Sequence, residues 1–535
     1  MVFPAKTILR ATVWRSASEA GRDHELRRRP ARRFLRLYLY SPCRHTGRRL
    51  NANHQDQPLK VYAFAFGLFL GLCLWKFGDP VVLDHIIIPP ATWEDFLEDA
   101  WPTHWANWIL LPLAAWGLVL ILQRGALPGK AVLPSKWLWL LPLAWLAWQF
   151  VAATRSVVPD LTVSTLWQLA GCVVCYFLGA CLFARGPLTR WLLAGVLAAF
   201  AFCLVRGVDQ RIFEYPQNYQ EMAEGERVGW TNFPPAAVVE MKGEGLILTT
   251  NGVDVANPVI MAKFAKGRVC GTLVYPNALA QIILLVWPVS LALAFGATRQ
   301  LRPMVRWAAI ALTLLLGGAV FFWTGSKLGW LLGIGLVGVA LLRLDWSKKL
   351  KIAALAAVVV LGLGVFAVRF HHYFAAGATS AGARFDYWRA AAQITAANPV
   401  LGTGPGTFSQ PYSRIKAPTS EMARLAHNDY LEQFCDSGVI GGVAYSAWIL
   451  VAMTLVARKI WPRPEPAMDG PPGKKRNSAP NTPSEGHFGD KNPFRFAIFL
   501  GLLGWFAQGF GEFGLYVPAL AWAAFTLLGC LVSRN

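Results

Sequence analysis

Two short stretches hold the side chains best suited to chemistry. In the first, RFDYWRAAAQITAA (384–397), Arg384, Trp388 and Ala391 stand at i, i+4 and i+7, one face of a helix. Asn398-Pro399 ends that helix, and Gly402 and Gly404 follow in a turn. An Arg beside a Trp either snorkels to lipid headgroups or grips a phosphate through two N–H donors, and these residues alone leave both readings open. In the second stretch, AHNDYLEQF (426–434), His427, Tyr430 and Leu431 share a helical face, with Asn428 and Glu432 beside it. An imidazole of ordinary pKa about 6.5 accepts a proton near neutral pH. The polar company around His427, just before an apolar run, favours a site over a lone structural histidine. Lys327, after Gly325-Ser326, adds a cation at a tight turn; it either snorkels or lends fixed charge to a diphosphate.

The rest of the chain must hold these groups. Its 535 residues are 55% hydrophobic and only 15% charged, with 24 Trp and 32 Phe, too little charge to clothe a soluble protein of this length. The apolar residues come in runs of about 17–22, enough to cross ~30 Å of hydrocarbon, without the alternation of a membrane β-barrel. The expected fold is an all-α polytopic membrane protein with about twelve transmembrane helices, near 60–77, 105–123, 137–154, 163–184, 190–206, 277–297, 304–324, 327–343, 350–369, 438–457, 494–512 and 514–533. Basic loops around Arg124–Lys136, Arg185–Arg190, Arg299–Arg306, Arg343–Lys351 and Lys474–Arg476 then share the side of the Arg-rich N-terminus, so both termini are expected in the cytoplasm. The net charge of +21 is read as this orientation signal, not as a nucleic-acid surface.

The expected division is a basic, disordered tail (1–57), N-terminal spans (58–206), an outer loop (207–276), further spans (277–369), a large outer loop between spans 9 and 10 (370–437), and C-terminal spans (438–535) with a cytoplasmic linker at 458–493. In the first outer loop LILTTNGVDVA predicts a hairpin, with Asn251-Gly252 suited to a type I′ turn. Cys172 and Cys175 read as packing residues, while Cys270 and Cys435 would pair only on an oxidising side. Glu94, Asp95, Glu98 and Asp99 offer a divalent-metal alternative, but Trp93 and Trp101 around them favour an interfacial acidic helix.

Taken together, GTLVYPNALAQIILLVWP (271–288), FWTGSKLGWLL (322–332), ARFDYWRAAAQITAANPVLGTGPGTF (383–408), AHNDYLEQFCDSGVIGG (426–442) and GEFGLYVPALAWAAFTLLG (511–529) resemble the O-antigen ligase and Wzy-type polymerase family of bacterial inner-membrane glycosyltransferases. The resemblance covers the C-terminal half. It implies a C-type glycosyltransferase-like bundle that moves a glycan from an undecaprenyl-diphosphate carrier to a hydroxyl on a glycan or lipid-anchored acceptor, at the periplasmic face, with no cofactor, no metal and no nucleic acid. Lys327 and Arg384 would hold the diphosphate, and His427 would assist the acceptor hydroxyl. Ser326, Trp388, Arg389, Asn428, Tyr430, Glu432 and Asn277 are the expected substrate-lining residues. Two departures stand out: Lys327 replaces the family's usual Arg and loses its planar two-point grip, and Gln508 stands where a His often precedes the acidic-aromatic pair, here Glu512-Phe513. Direct displacement, with no carboxylate placed as nucleophile, would invert the anomeric centre. A lipid-linked glycan transporter and a non-catalytic scaffold are the competing classes; the two dissimilar halves and the one-sided polar residues weigh against a transporter.

Overall fold

The computed structural model describes residues 57–124, 132–375, 377–461 and 492–534. The Arg-rich tail up to residue 56, Lys130, the interior of the expected linker and Lys474, Lys475 and Arg476 lie outside the described residues. Almost everything else is helix, and the one sheet among the described residues is a two-stranded hairpin. Each of the twelve apolar runs coincides with a helix. Among the described residues, eight helices are long and apolar enough to cross a membrane, and four more apolar helices are shorter: Trp137–Ala153, Lys327–Leu342, Pro493–Gln508 and Pro518–Val532. Many begin on proline, including Pro159, Pro276, Pro303 and Pro518, whose missing N–H lies among the donors a helix start leaves unpaired anyway.

Burial orders the bundle. Every residue of Pro518–Val532 is buried, as suits a helix apolar all round, and it packs on Pro159–Leu178. Pro276–Ala297 packs on Pro493–Gln508, and Trp137–Ala153 on Asp429–Ile460. At the other extreme Lys348–Ala375 buries only Phe370 and leans on Lys327–Leu342, so its surface is apolar and outward. Where Gln57–Lys76 crosses Gly186–Asp209, Gly67 and Gly195 bring the two backbones into contact, the small-residue packing expected where burial from water does not drive helices together.

The polar loop 398–407 has a packing role that its turn residues did not reveal. Helix Asp429–Ile460 is broken at Ser437 and Gly438, and the loop fills the break. The Thr403 and Gly404 amides donate to the carbonyls of Cys435 and Asp436, and the Val439 amide donates to Pro399. Gly438 has φ +68°, ψ −172°, a region nearly reserved for glycine, and a Cβ there would collide with the Val400 carbonyl. The break is closed on its other side by buried polar groups. Asp436 Oδ2 accepts from the Gly406 amide and the Tyr516 hydroxyl, while Gln433 accepts from Trp145 and Gln149 and donates to Tyr516.

Several expectations need correction. The outer loop 207–276 is largely structured: the helix continues past residue 206 to Arg227, and Pro235–Gly243 and Pro258–Lys266 are also helical. Residues 215–266 form a compact unit of their own with 90–99. The hairpin is as expected, Ile247–Thr250 against Val253–Ala256, with Asn251 and Gly252 both at positive φ. The loop 370–437 holds helices Thr379–Ala397 and Ser409–Ile415, because the Lys348–Ala375 helix ends only at Ala375. The C-terminal run 494–512 stops being helix at Gln508, and helix Asp429–Ile460 runs into the start of the expected linker. Cys270 and Cys435 are separate buried thiols, as are the packed Cys172 and Cys175. The acidic stretch is a short helix capped reciprocally by Thr92 and Asp95, which gives Asp95 a structural task.

Two stability predictions follow from these contacts. Gly438→Ala should cost about 1–3 kcal/mol, read as a lower unfolding temperature of the detergent-solubilised protein. In the smaller unit, burial, helped by Glu240 and Asp99, pushes the Glu244 carboxyl up to about 7 from 4.5. The folded state therefore binds this proton more tightly than the unfolded chain does. Its contribution to stability is full below pH 4.5 and is lost as pH rises through about 7. Glu244→Gln should flatten the pH dependence of unfolding in that window; an unchanged slope would show that Glu244 titrates normally.

Candidate functional site

At one end of the bundle a carboxylate gathers the polar groups. Glu512 lies in the turn after Pro493–Gln508 and is almost fully buried. Its Oε1 accepts from Arg384 Nη2 at 2.6 Å and from Asn277 Nδ2 at 2.7 Å. Its Oε2 accepts from the Tyr275 hydroxyl at 3.3 Å and faces His427 Nδ1 at 3.6 Å. Four segments far apart in the chain thus meet on one side chain. Arg268 extends the cluster: its Nη2 donates to Asn277 Oδ1 and its Nε to the Thr324 carbonyl, tying the 324–327 turn to the site. Burial, with the nearby charges of Arg384 and Arg369, holds the Arg268 guanidinium below its usual pKa, and Glu512 opposes that fall. Burial, then the charge of Glu512, raises the Tyr275 phenol well above its usual value, so it serves as a neutral donor.

His427 does not share a helical face with Tyr430 and Leu431. It precedes the helix in the left-handed region, φ +51°, and Asn428 is the N-cap, its side chain accepting from the Tyr430 and Leu431 amides. Several contacts hold that conformation. Glu432 reaches back to the Ala426 amide, Trp388 Nε1 donates to the His427 carbonyl at 3.4 Å, and the Asp429 amide donates to the carbonyls of Gly509 and Glu512. Tyr387 stacks on the imidazole, and Phe513 meets it edge-on at 4.7 Å between centroids. Burial lifts the Tyr387 phenol to about 12, so the ring beside His427 is neutral.

The sequence-selected residues therefore separate. Arg384, His427 and Asn277 converge directly on Glu512. Trp388, Asn428 and Glu432 act on the backbone around His427, and Glu432 is wholly buried. Ser326 is buried as the N-cap of Lys327–Leu342, accepting from the Gly329 amide after a left-handed Gly325. Lys327 starts that helix with its ammonium 3.9 Å from the centre of the Tyr373 ring and 5.4 Å from that of Phe370. Tyr430 points to the C-terminal hairpin, its hydroxyl on the Phe506 carbonyl and its ring stacked on Phe510. Arg389 is not brought in: five residues after Arg384 it lies about 140° round the helix, exposed, beside Asp386. Gln508, buried, donates to the Asn277 carbonyl and steadies that residue.

Glu512, Arg268, Tyr275 and Tyr387 were missed. A signal existed for Glu512: it is the only carboxylate after Pro493 in an otherwise apolar stretch, and ionisable groups inside such stretches default to function. No local pattern marks Arg268 or the two tyrosines.

Fold and site define a polytopic helical membrane protein with a buried carboxylate and several cations at one end of its bundle. Residues 276–446, about a third of the chain, match the family model described as O-antigen ligase, which bears out the resemblance to the O-antigen ligase and Wzy-type family. That match includes Asn277, Lys327, Arg384 and His427 and leaves out Arg268 and Glu512. No curated protein matches the chain.

Because Glu512 offsets a largely buried arginine, Glu512→Ala should destabilise the protein by about 3 kcal/mol or more, whereas Glu512→Gln keeps an acceptor and should cost less. Thermal unfolding of the two variants in detergent checks that order.

Proposed function

We propose that this protein is a metal-independent, inverting glycosyltransferase of the bacterial inner membrane. It would move a glycan from undecaprenyl diphosphate to a hydroxyl of a lipid-anchored acceptor at the periplasmic face, as an O-antigen ligase does. The observation that carries this reading is the convergence of Arg384 and His427 on Glu512 beside Asn277 and Arg268, within and next to the matched segment.

The chemistry fits these groups. Cleaving the sugar–phosphate bond builds negative charge on the departing diphosphate. Fixed cations in a poorly solvated mouth stabilise that charge more in the transition state than before it. Arg384 uses Nη2 on Glu512, and its buried Nε has no hydrogen-bond partner, which leaves a donor for a phosphate oxygen. Lys327 adds charge without a planar fork. His427 is the general base for the acceptor hydroxyl. With Nδ1 toward Glu512, a closing of the 3.6 Å gap would fix the N–H on Nδ1 and leave Nε2 to take the proton. Tyr387 and Phe513 hold the ring plane, and Trp388, Asn428 and Glu432 hold its backbone.

In vesicles with an undecaprenyl-diphosphate-linked glycan and a lipid-anchored acceptor, Arg384→Ala and His427→Ala should each lower kcat by 10²–10³, about 3 kcal/mol, Arg384→Ala also losing stability because it strands Glu512, and EDTA should change nothing. Glycan-carrier product that is relocated but never joined would mean a transporter. Extension of the donor's own chain, with the acceptor untouched, would mean a polymerase. Cysteine labelling at 327, 384 and 427 from the cytoplasmic side alone would overturn the orientation.

A further inference from the structure

The long helix that begins at Gly186 is not regular throughout. It widens into a π turn at Gln210–Glu214 before resuming as Tyr215–Arg227. Single π turns of this kind gather at functional positions. Arg206 spans the turn, pairing with Asp209 and, at 2.8 Å, with Glu214 Oε2. The chain leaves for the smaller unit after Glu214 and returns at Gly267, one residue before Arg268. Gln210 links departure and return. It is wholly buried; its Oε1 accepts from the Cys270 amide at 3.1 Å and the Gly271 amide at 2.8 Å, and its Nε2 donates to the Gly271 carbonyl at 2.9 Å. One side-chain amide thus satisfies three backbone groups of a single turn. That turn is held on its other sides too. Gly271 is left-handed at φ +61°, and a Cβ there would meet Cys203 Sγ at 2.7 Å. The Thr272 hydroxyl donates to the Leu74 carbonyl at 2.6 Å, and the Val269 amide donates to the Trp323 carbonyl.

From this turn a chain of hydrogen bonds runs to the site. Arg268 donates to the Thr324 carbonyl at 2.7 Å and to Asn277 Oδ1 at 2.9 Å. Asn277 Nδ2 donates to Glu512 Oε1 at 2.7 Å, the same oxygen that accepts from Arg384. A largely buried guanidinium on a long, flexible stem keeps such a place only where its backbone is fixed, because water would otherwise draw it out. We propose that Gln210 is the positioning residue for Arg268: its amide fixes the 269–271 turn and, through Arg268 and Asn277, the orientation of the Glu512 carboxylate. This rests on the function proposed above and gives the π turn, which lies outside the matched segment, a part in the reaction. A mere packing role for Gln210 would stabilise the fold and leave the chemistry alone.

The test compares Gln210→Met, unbranched and of similar length but without the amide, with Thr189→Ala, which removes a buried hydroxyl bond to the Phe183 carbonyl at the start of the same helix. In the full-length protein in nanodiscs, hydrogen exchange of residues 268–274 should rise in Gln210→Met and not in Thr189→Ala. In the vesicle transfer assay Gln210→Met should lower kcat roughly 10- to 100-fold with KM for the linked glycan little changed. Thr189→Ala should keep the wild-type kcat even where it unfolds at a lower temperature. Added to Arg268→Ala, Gln210→Met should lower kcat little further, as expected of groups that act in series. Glu214→Gln loosens the π turn from outside with less risk to the fold and should act in the same direction more weakly. Unchanged exchange at 268–274 in Gln210→Met, or raised exchange with a wild-type kcat in either variant, would overturn the proposal. Losses that multiply in the Gln210→Met, Arg268→Ala double variant would do the same. If the wild-type protein transfers no glycan while exchange rises as stated, the enzymatic reading falls and the hold of Gln210 on the Arg268 turn remains.

Discussion

A carboxylate taken out of water must find partners, and Glu512 finds them on three other segments of the chain. That requirement organises the mouth of the bundle. Arg384 arrives from the helix after the lipid-facing span. Asn277 and Tyr275 come from the start of another helix, and His427 from the residue before an N-cap. No local pattern in the sequence marks their approach to Glu512. Each is fixed because leaving Glu512 or Arg384 without the other would strand a charge in a place with little solvent.

The second constraint is mechanical. Loop 398–407 sits in the break at Ser437-Gly438 and pins the first turns of helix Asp429–Ile460, whose N-cap directly follows His427. The asparagine cap, the Glu432 bond to the Ala426 peptide and the Trp388 bond to the His427 carbonyl then hold the histidine in a backbone conformation it would not choose alone. Packing and chemistry are thus joined. The amides of the glycine turn are spent on the carbonyls and carboxylate of the broken helix.

The cations of this region differ in what holds them. The innermost cation, Arg268, is bonded to Thr324 and Asn277, while the outer ones, Lys327 and Arg369, rest on aromatic faces.

Much of the architecture was legible in the sequence because it depends on short-range physics. Apolar runs of membrane length must become helices, Pro starts them, Asn251-Gly252 turns a hairpin, and Gly325-Ser326 ends one helix and caps the next. Arg384 and His427, which the resemblance gave separate roles, both lie beside Glu512 in the structure. What tertiary structure alone decided is which groups share a charge. Glu512 looked like the tail of an apolar span, Arg268 like a loop residue, and Glu432 like a substrate ligand. Their roles follow from desolvation, which depends on what surrounds a side chain in space and leaves no periodic mark along the chain. Arg389 and Tyr430 show the converse: proximity in sequence to Arg384 and His427 did not bring them to Glu512, because helix geometry and neighbouring rings turned them elsewhere.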